Sequence, residues 1–217
     1  MLFYLILSFC AFSMIILTIN AHKIQVLLTH PRTVSSAFEK AMLARADHKI
    51  FHEPWVSSYL YHNGDAWIFS QPPSQEIMQA RNYQEVKQLI YSYADKQPVF
   101  IKDMIWSMKE ELLNDDTFLS DPNVVITFLI REPALSIESY FLKGEELMSL
   151  KETVGCIKDM YCYETMWDIA KKYYQIRGEW PLIVEAEELC ADPENVLKGY
   201  CDRAGIEYLP EMLVWTD

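Results

Sequence analysis

Short apolar runs recur along the chain, each separated from the next by a stretch with helical spacing. Residues 24–28 (IQVLL), 48–52 (HKIFH), 98–102 (PVFIK), 123–130 (NVVITFLI) and 181–184 (PLIV) have the length and β-branched content of strands. Between them, the apolar positions fall at helical intervals from Ser35 through Phe38 and Met42, over residues 83–93 and over residues 134–141. Residues 143–177 read as one long, aromatic-rich helical stretch and residues 191–204 as a last helix. Residues 64–82, with two prolines, read as a long loop or lid. Strands alternating with helices of this length predict an α/β domain, a three-layer parallel sheet with helices on both faces. In such sheets ligands gather beyond the carboxyl ends of the strands. Arg32, Glu53, Lys102 and Arg131 each lie at or just past such an end, so they are expected to converge.

Composition narrows the function. A chain of 217 residues, 51% hydrophobic, supports one sizeable core. With 19 Lys and Arg against 31 Asp and Glu, the net charge of −12 speaks against a nucleic-acid surface. An anionic ligand must therefore be held by local groups. Residues 2–19 carry no charge, which predicts a signal peptide or N-terminal membrane anchor over residues 1–21, ahead of one domain over 22–217. On that reading the protein is exported or membrane-tethered; a start codon placed too far upstream would make it cytoplasmic. Cys156, Cys162, Cys190 and Cys201 form an even set that suits two disulfides or four free thiols. Their spacing matches no zinc pattern, and no metal is expected.

The first strand feeds the first helix through His30-Pro31-Arg32-Thr33-Val34-Ser35-Ser36. A short strand-to-helix loop aims unpaired N–H groups and the positive helix end at one point, where an anion can sit. Arg32 adds a cation there, and Thr33, Ser35 and Ser36 add three hydroxyls. The alternative is an ordinary turn with Ser as N-cap. The later run Arg131-Glu132-Pro133 opens the helix that contains Ser139-Tyr140-Phe141.

These two segments together resemble the signatures of the sulfotransferases that use 3′-phosphoadenosine-5′-phosphosulfate (PAPS), and the PRTVSS loop is similar to that of a bacterial and plant subgroup. A weaker match runs from Val184-Glu185-Ala186 through Asp192-Pro193 to Gly205-Ile206. The resemblance implies a P-loop NTPase-like sulfotransferase fold and transfer of the sulfuryl group of PAPS to a hydroxyl or amine of a small-molecule or glycan acceptor. It implies that Arg32, Thr33, Val34, Ser35 and Ser36 cradle the 5′-phosphosulfate and that Arg131 and Ser139 hold the 3′-phosphate. Arg32 would also stabilise charge on the leaving oxygen. The chain departs from the family in having Val34 where glycine is frequent, in lacking a tryptophan near Ala37, and in ending at Asp217 before a basic, glycine-containing loop. A descendant that has lost catalysis and kept a binding role is the alternative. A kinase is the poorer reading, because no GxxxxGK[ST] loop is present.

Lys102, after the strand PVFI, is expected in the same crevice; a surface lysine starting a helix is the competing reading. Glu53 is the candidate general base, provided partial burial suits a carboxylate to that work. His52 is the alternative base, although strand alternation places it on the opposite side from Glu53. Trp55, Tyr59, Tyr61 and Trp67 line the acceptor pocket or pack the core.

Overall fold

The computed structural model describes residues 22–63, 74–145 and 149–214. The leader expected over residues 1–21, Trp67 and most of the loop expected from residue 64 lie outside them. Among the described residues, five strands and eleven α-helices follow in order: β1 Ile24–Thr29, α1 Ser35–Ala44, β2 Lys49–His52, α2 Pro54–His62, α3 Gln75–Gln79, α4 Tyr83–Ala94, β3 Val99–Met104, α5 Lys109–Leu113, α6 Asp116–Ser120, β4 Val124–Ile130, α7 Pro133–Glu145, α8 Leu150–Met160, α9 Tyr163–Arg177, β5 Leu182–Glu185, α10 Ala186–Ala191 and α11 Pro193–Ala204. The strands form one parallel sheet in the order β2-β3-β1-β4-β5.

β1 is central and buried along its whole length, and its alternation divides the core. Ile24, Val26 and Leu28 pack with Trp55 of α2, Val86 and Ile90 of α4, and Met166 and Ile169 of α9. Leu27 faces the other way, against Phe38 and Met42 of α1 and Leu197 and Tyr200 of α11. Period-two side-chain alternation thus yields an α/β fold of three layers. Because the chain passes from β3 over β1 to β4, the sheet reverses its winding at β1. That is where a crevice opens at the carboxyl ends.

Three sequence expectations are corrected. Residues 143–177 are not one helix: α8 opens with a capping box on Ser149 and Glu152, and α9 begins anew at Tyr163. The last helix starts at Pro193, capped by Asp192, whose side chain accepts from Asn195 N–H; the proline cannot continue α10. All four described cysteines are free thiols, so the disulfide reading is set aside. Among the described residues no helix is long and apolar enough to cross a membrane.

Candidate active site

The β1–α1 loop owes its shape to two left-handed residues that are not glycine, Arg32 at φ 66° and Val34 at φ 58°. A β-branched side chain tolerates that region poorly, so each position costs on the order of 1–3 kcal/mol unless its surroundings hold it. The surroundings are a buried web under the loop. Thr33 Oγ1 donates to His30 O (3.2 Å) and also meets Thr29 Oγ1. The expectation that Thr33 offers its hydroxyl to a ligand is therefore wrong, since that group is turned inward. The serine N-cap is wrong as well. Val34 is the N-cap, with no side-chain partner, and its carbonyl receives Ala37 N–H at 2.9 Å. Among the described residues no acceptor meets the N–H groups of Val34, Ser35 or Ser36. They leave three successive donors at the positive end of α1.

His30 ties this loop to the β4–α7 loop. Its ring is fully buried against Tyr161 and Tyr163, at centroid distances of 5.1 and 4.6 Å. Nδ1–H donates to Pro31 O (3.0 Å), and Nε2 accepts the N–H of Arg131 (3.3 Å). Burial, with the nearby Arg131 charge adding to it, pushes the imidazole down to about 4. The ring is neutral, as this hydrogen-bond pattern requires. The guanidinium of Arg131 donates to Arg32 O (3.0 Å) and pairs with Glu187 of α10 (3.2 Å). Ser139, nearly two turns into α7, accepts from Nε of Arg32 at 3.0 Å. In this structure the serine is thus joined to Arg32, and Arg131 lies beside the pair.

At the next strand Lys102 is 2% exposed and its ammonium pairs with the Glu53 carboxylate, which rules out the surface-lysine reading. Asp103 behind it is fully buried and receives the N–H groups of Trp55 (2.7 Å) and Met104 (2.7 Å). Burial, reinforced by the Glu53 charge, raises its carboxyl to about 8. By capping the start of α2 from below, Asp103 fixes the turn in which Glu53 takes φ 46°. That left-handed turn overturns the expectation drawn from alternation. Glu53 is outside the strand, so it swings back over Lys102 and joins His52 in one cavity. The His52 ring meets Glu39 of α1 through Nδ1 (2.7 Å) and approaches Glu53 through Nε2 (3.9 Å). The hydrogen bond to the Glu39 carboxylate raises its pKa.

The cavity so enclosed measures about 660 Å³ and is lined by residues 31–37, His52, Glu53, Lys102, Arg131, Tyr140, Lys143 and Met160, among others. A second cavity of about 390 Å³ shares Arg32, Arg131 and Lys143 with it and adds Ser139. Arg32, Glu53, Lys102 and Arg131 are thus brought together. Of the aromatics expected to line the acceptor pocket, Trp55, Tyr59 and Tyr61 are not part of its lining. Trp55 is a core residue whose Nε1–H donates to Tyr83 O (3.2 Å), while Tyr59 and Tyr61 are exposed away from the cavity lining. Sequence reasoning gave no role to His30, Glu39, Asp103, Tyr161, Tyr163 or Glu187. A signal existed for two of them: Glu39 falls beside Phe38 on the buried face of α1, and Asp103 interrupts an apolar strand. Among the described residues no cluster of His, Cys, Asp and Glu is suited to a metal ion.

The fold and the sequence both have relatives. The sulfotransferase domain of an olefin synthase from Synechococcus PCC 7002 superposes with a TM-score of 0.61 at 16% identity, covering 91% of this chain and 79% of that one. The sulfotransferase domain of the curacin biosynthetic pathway gives 0.56 at 16% identity, over 90% and 79%. At such identities the likeness is one of fold. In sequence, branched-chain-amino-acid aminotransferase-like protein 1 of Arabidopsis thaliana is 26% identical over 192 residues, and its companion protein 2 is 27% identical over the same length. Each match takes in 85% of this chain but only 30% of the relative, so the chain spans under a third of those proteins. The sulfotransferase domain family matches residues 23–217, nearly the whole chain, and the chain belongs to that family.

Proposed function

We propose that the domain transfers the sulfuryl group of PAPS to a hydroxyl or amine of a small-molecule or glycan acceptor. The observation that carries this reading is the row of unpaired N–H groups at Val34, Ser35 and Ser36, facing a cavity that also holds Arg32, Lys102 and Arg131. Gathered at one place, these donors and cations can hold a polyanion in an acidic chain. The N–H row takes the 5′-phosphate oxygens. Arg32 reaches the bridging oxygen, where charge grows as the sulfur–oxygen bond breaks. Lys102 turns from Glu53 to the sulfonate, which frees the Glu53 carboxylate to accept the acceptor's proton. Arg131 and Ser139, in the adjoining cavity, take the 3′-phosphate. The reaction needs no metal, because charge is met by guanidinium, ammonium and amide groups. Residues 1–21 are proposed to act as a leader or anchor, to be checked by fractionation and N-terminal sequencing.

Isothermal calorimetry with adenosine 3′,5′-bisphosphate, followed by release of labelled sulfate from PAPS, tests the donor. Micromolar binding with sulfate release is expected, with at least tenfold weaker binding of ATP. Binding without release would mark a nucleotide-binding descendant, and absence of binding would refute the donor assignment.

A further inference from the structure

The proton that leaves the acceptor cannot stay on Glu53. When the sulfated product leaves and Lys102 returns to Glu53, a still-protonated Glu53 would leave the ammonium without its counter-charge at a position only 2% exposed, an arrangement that is strongly unfavourable. The proton-accepting atom beside it in the cavity is Nε2 of His52, 3.9 Å from Glu53 Oε1, and the His52 side chain is 62% exposed. Its other nitrogen is held by Glu39, which is 8% exposed and sits on α1, the helix whose N-terminus faces the donor phosphates. Resting on the sulfuryl-transfer reading above, we infer that His52 carries the acceptor proton from Glu53 to solvent, and that Glu39 is the positioning residue that keeps Nε2 free to take it.

The chemistry is balanced. The acceptor oxygen forms a bond to sulfur while the bond from sulfur to the 5′-phosphate oxygen breaks, and adenosine 3′,5′-bisphosphate leaves with the electron pair. The O–H proton passes to the Glu53 carboxylate, then to His52 Nε2, while Nδ1–H stays on Glu39; the imidazolium then loses its proton to water. Three charged groups face His52: Glu39 from α1, Glu53 from the β2–α2 turn and Lys102 from β3. The two carboxylates favour the imidazolium and the ammonium opposes it. The orienting carboxylate fixes the tautomer, as in other histidine bases that are held by an acid. It also links the helix that binds the donor to the group that clears the proton.

The test uses the full chain, PAPS and water as acceptor, with sulfate release as the rate and calorimetry with adenosine 3′,5′-bisphosphate as the binding control. His52→Asn should lower kcat about 10- to 100-fold with donor binding intact, and added imidazole should restore part of the loss. Glu39→Gln should move the acid limb of the kcat profile to lower pH, because the imidazole loses the group that raises its pKa; His52 NMR titration should shift the same way, and Glu39→Asp should recover most of the rate. A His52→Asn protein that binds the bisphosphate and keeps the parent rate and pH profile would overturn the relay while leaving the PAPS reading in place. Failure of the parent protein to bind the bisphosphate removes the donor reading and the relay with it. Binding without sulfate release would mark a nucleotide-binding descendant and remove sulfuryl transfer and the relay together, leaving only the donor site.

Discussion

Arg131→Ala should weaken binding of adenosine 3′,5′-bisphosphate without unfolding the protein, and the structure sets both magnitudes. In the structure the guanidinium donates to Arg32 O at 3.0 Å and pairs with Glu187 at 3.2 Å, with the two side chains 25% and 43% exposed. A solvent-screened pair of that kind contributes about 0–1 kcal/mol, so the loss in folding stability should stay near that size. A guanidinium–phosphate contact is charge-assisted on both sides and worth about 2–3 kcal/mol net, or a roughly 30- to 150-fold change in Kd. Adenosine 5′-phosphosulfate has no 3′-phosphate, and its affinity should change by less than about threefold. Glu187 competes for the same guanidinium, so Glu187→Gln should tighten bisphosphate binding by a few fold, as expected for a screened pair. The assay is calorimetry with both ligands on the parent and both variants, with a urea midpoint for each. Equal loss for the two ligands, or loss for neither, would show that the 3′-phosphate is held elsewhere.

Two further predictions concern the loops themselves. His30 is held down to about 4 in the folded state, so unfolded chains bind its proton first. The stability it contributes is complete above about pH 6.5 and is lost as pH falls toward 4, by about 3 kcal/mol in all; urea midpoints at pH 7 and pH 4.5 should show a fall that His30→Gln removes. A fall of the same size in His30→Gln would assign the acid lability to other groups. Val34→Gly relieves a left-handed valine and should leave stability unchanged or raise it by about 1 kcal/mol, read as a higher Tm, because glycine occupies that region without steric cost. A lower Tm would mean that the packing of the Val34 side chain against the α1–α11 core outweighs its backbone strain.

The pattern of short apolar runs and helical intervals was enough to determine five strands, several of the helices between them, and therefore a parallel α/β sheet; it missed α2, α5 and α6, and it read as loop the segment that holds α3. Position at a strand's carboxyl end was enough to bring Arg32, Glu53, Lys102 and Arg131 to one crevice. Both are local properties: side-chain period follows from backbone geometry, and a residue just past a parallel strand has one rim on which to lie. Tertiary structure decided which of these groups touch. Glu53 stands beside His52 because a left-handed residue capped by the buried Asp103 of another strand reverses the alternation that sequence implies. Ser139 meets Arg32 because α7 returns over the β1–α1 loop, and Arg131 meets Glu187, 56 residues away. Thr33 turns inward because Thr29 and the His30 carbonyl lie beneath it. Each of these depends on distance between elements far apart in the chain, and on the desolvation that makes a buried carboxyl or imidazole seek a partner, neither of which a run of neighbouring residues encodes.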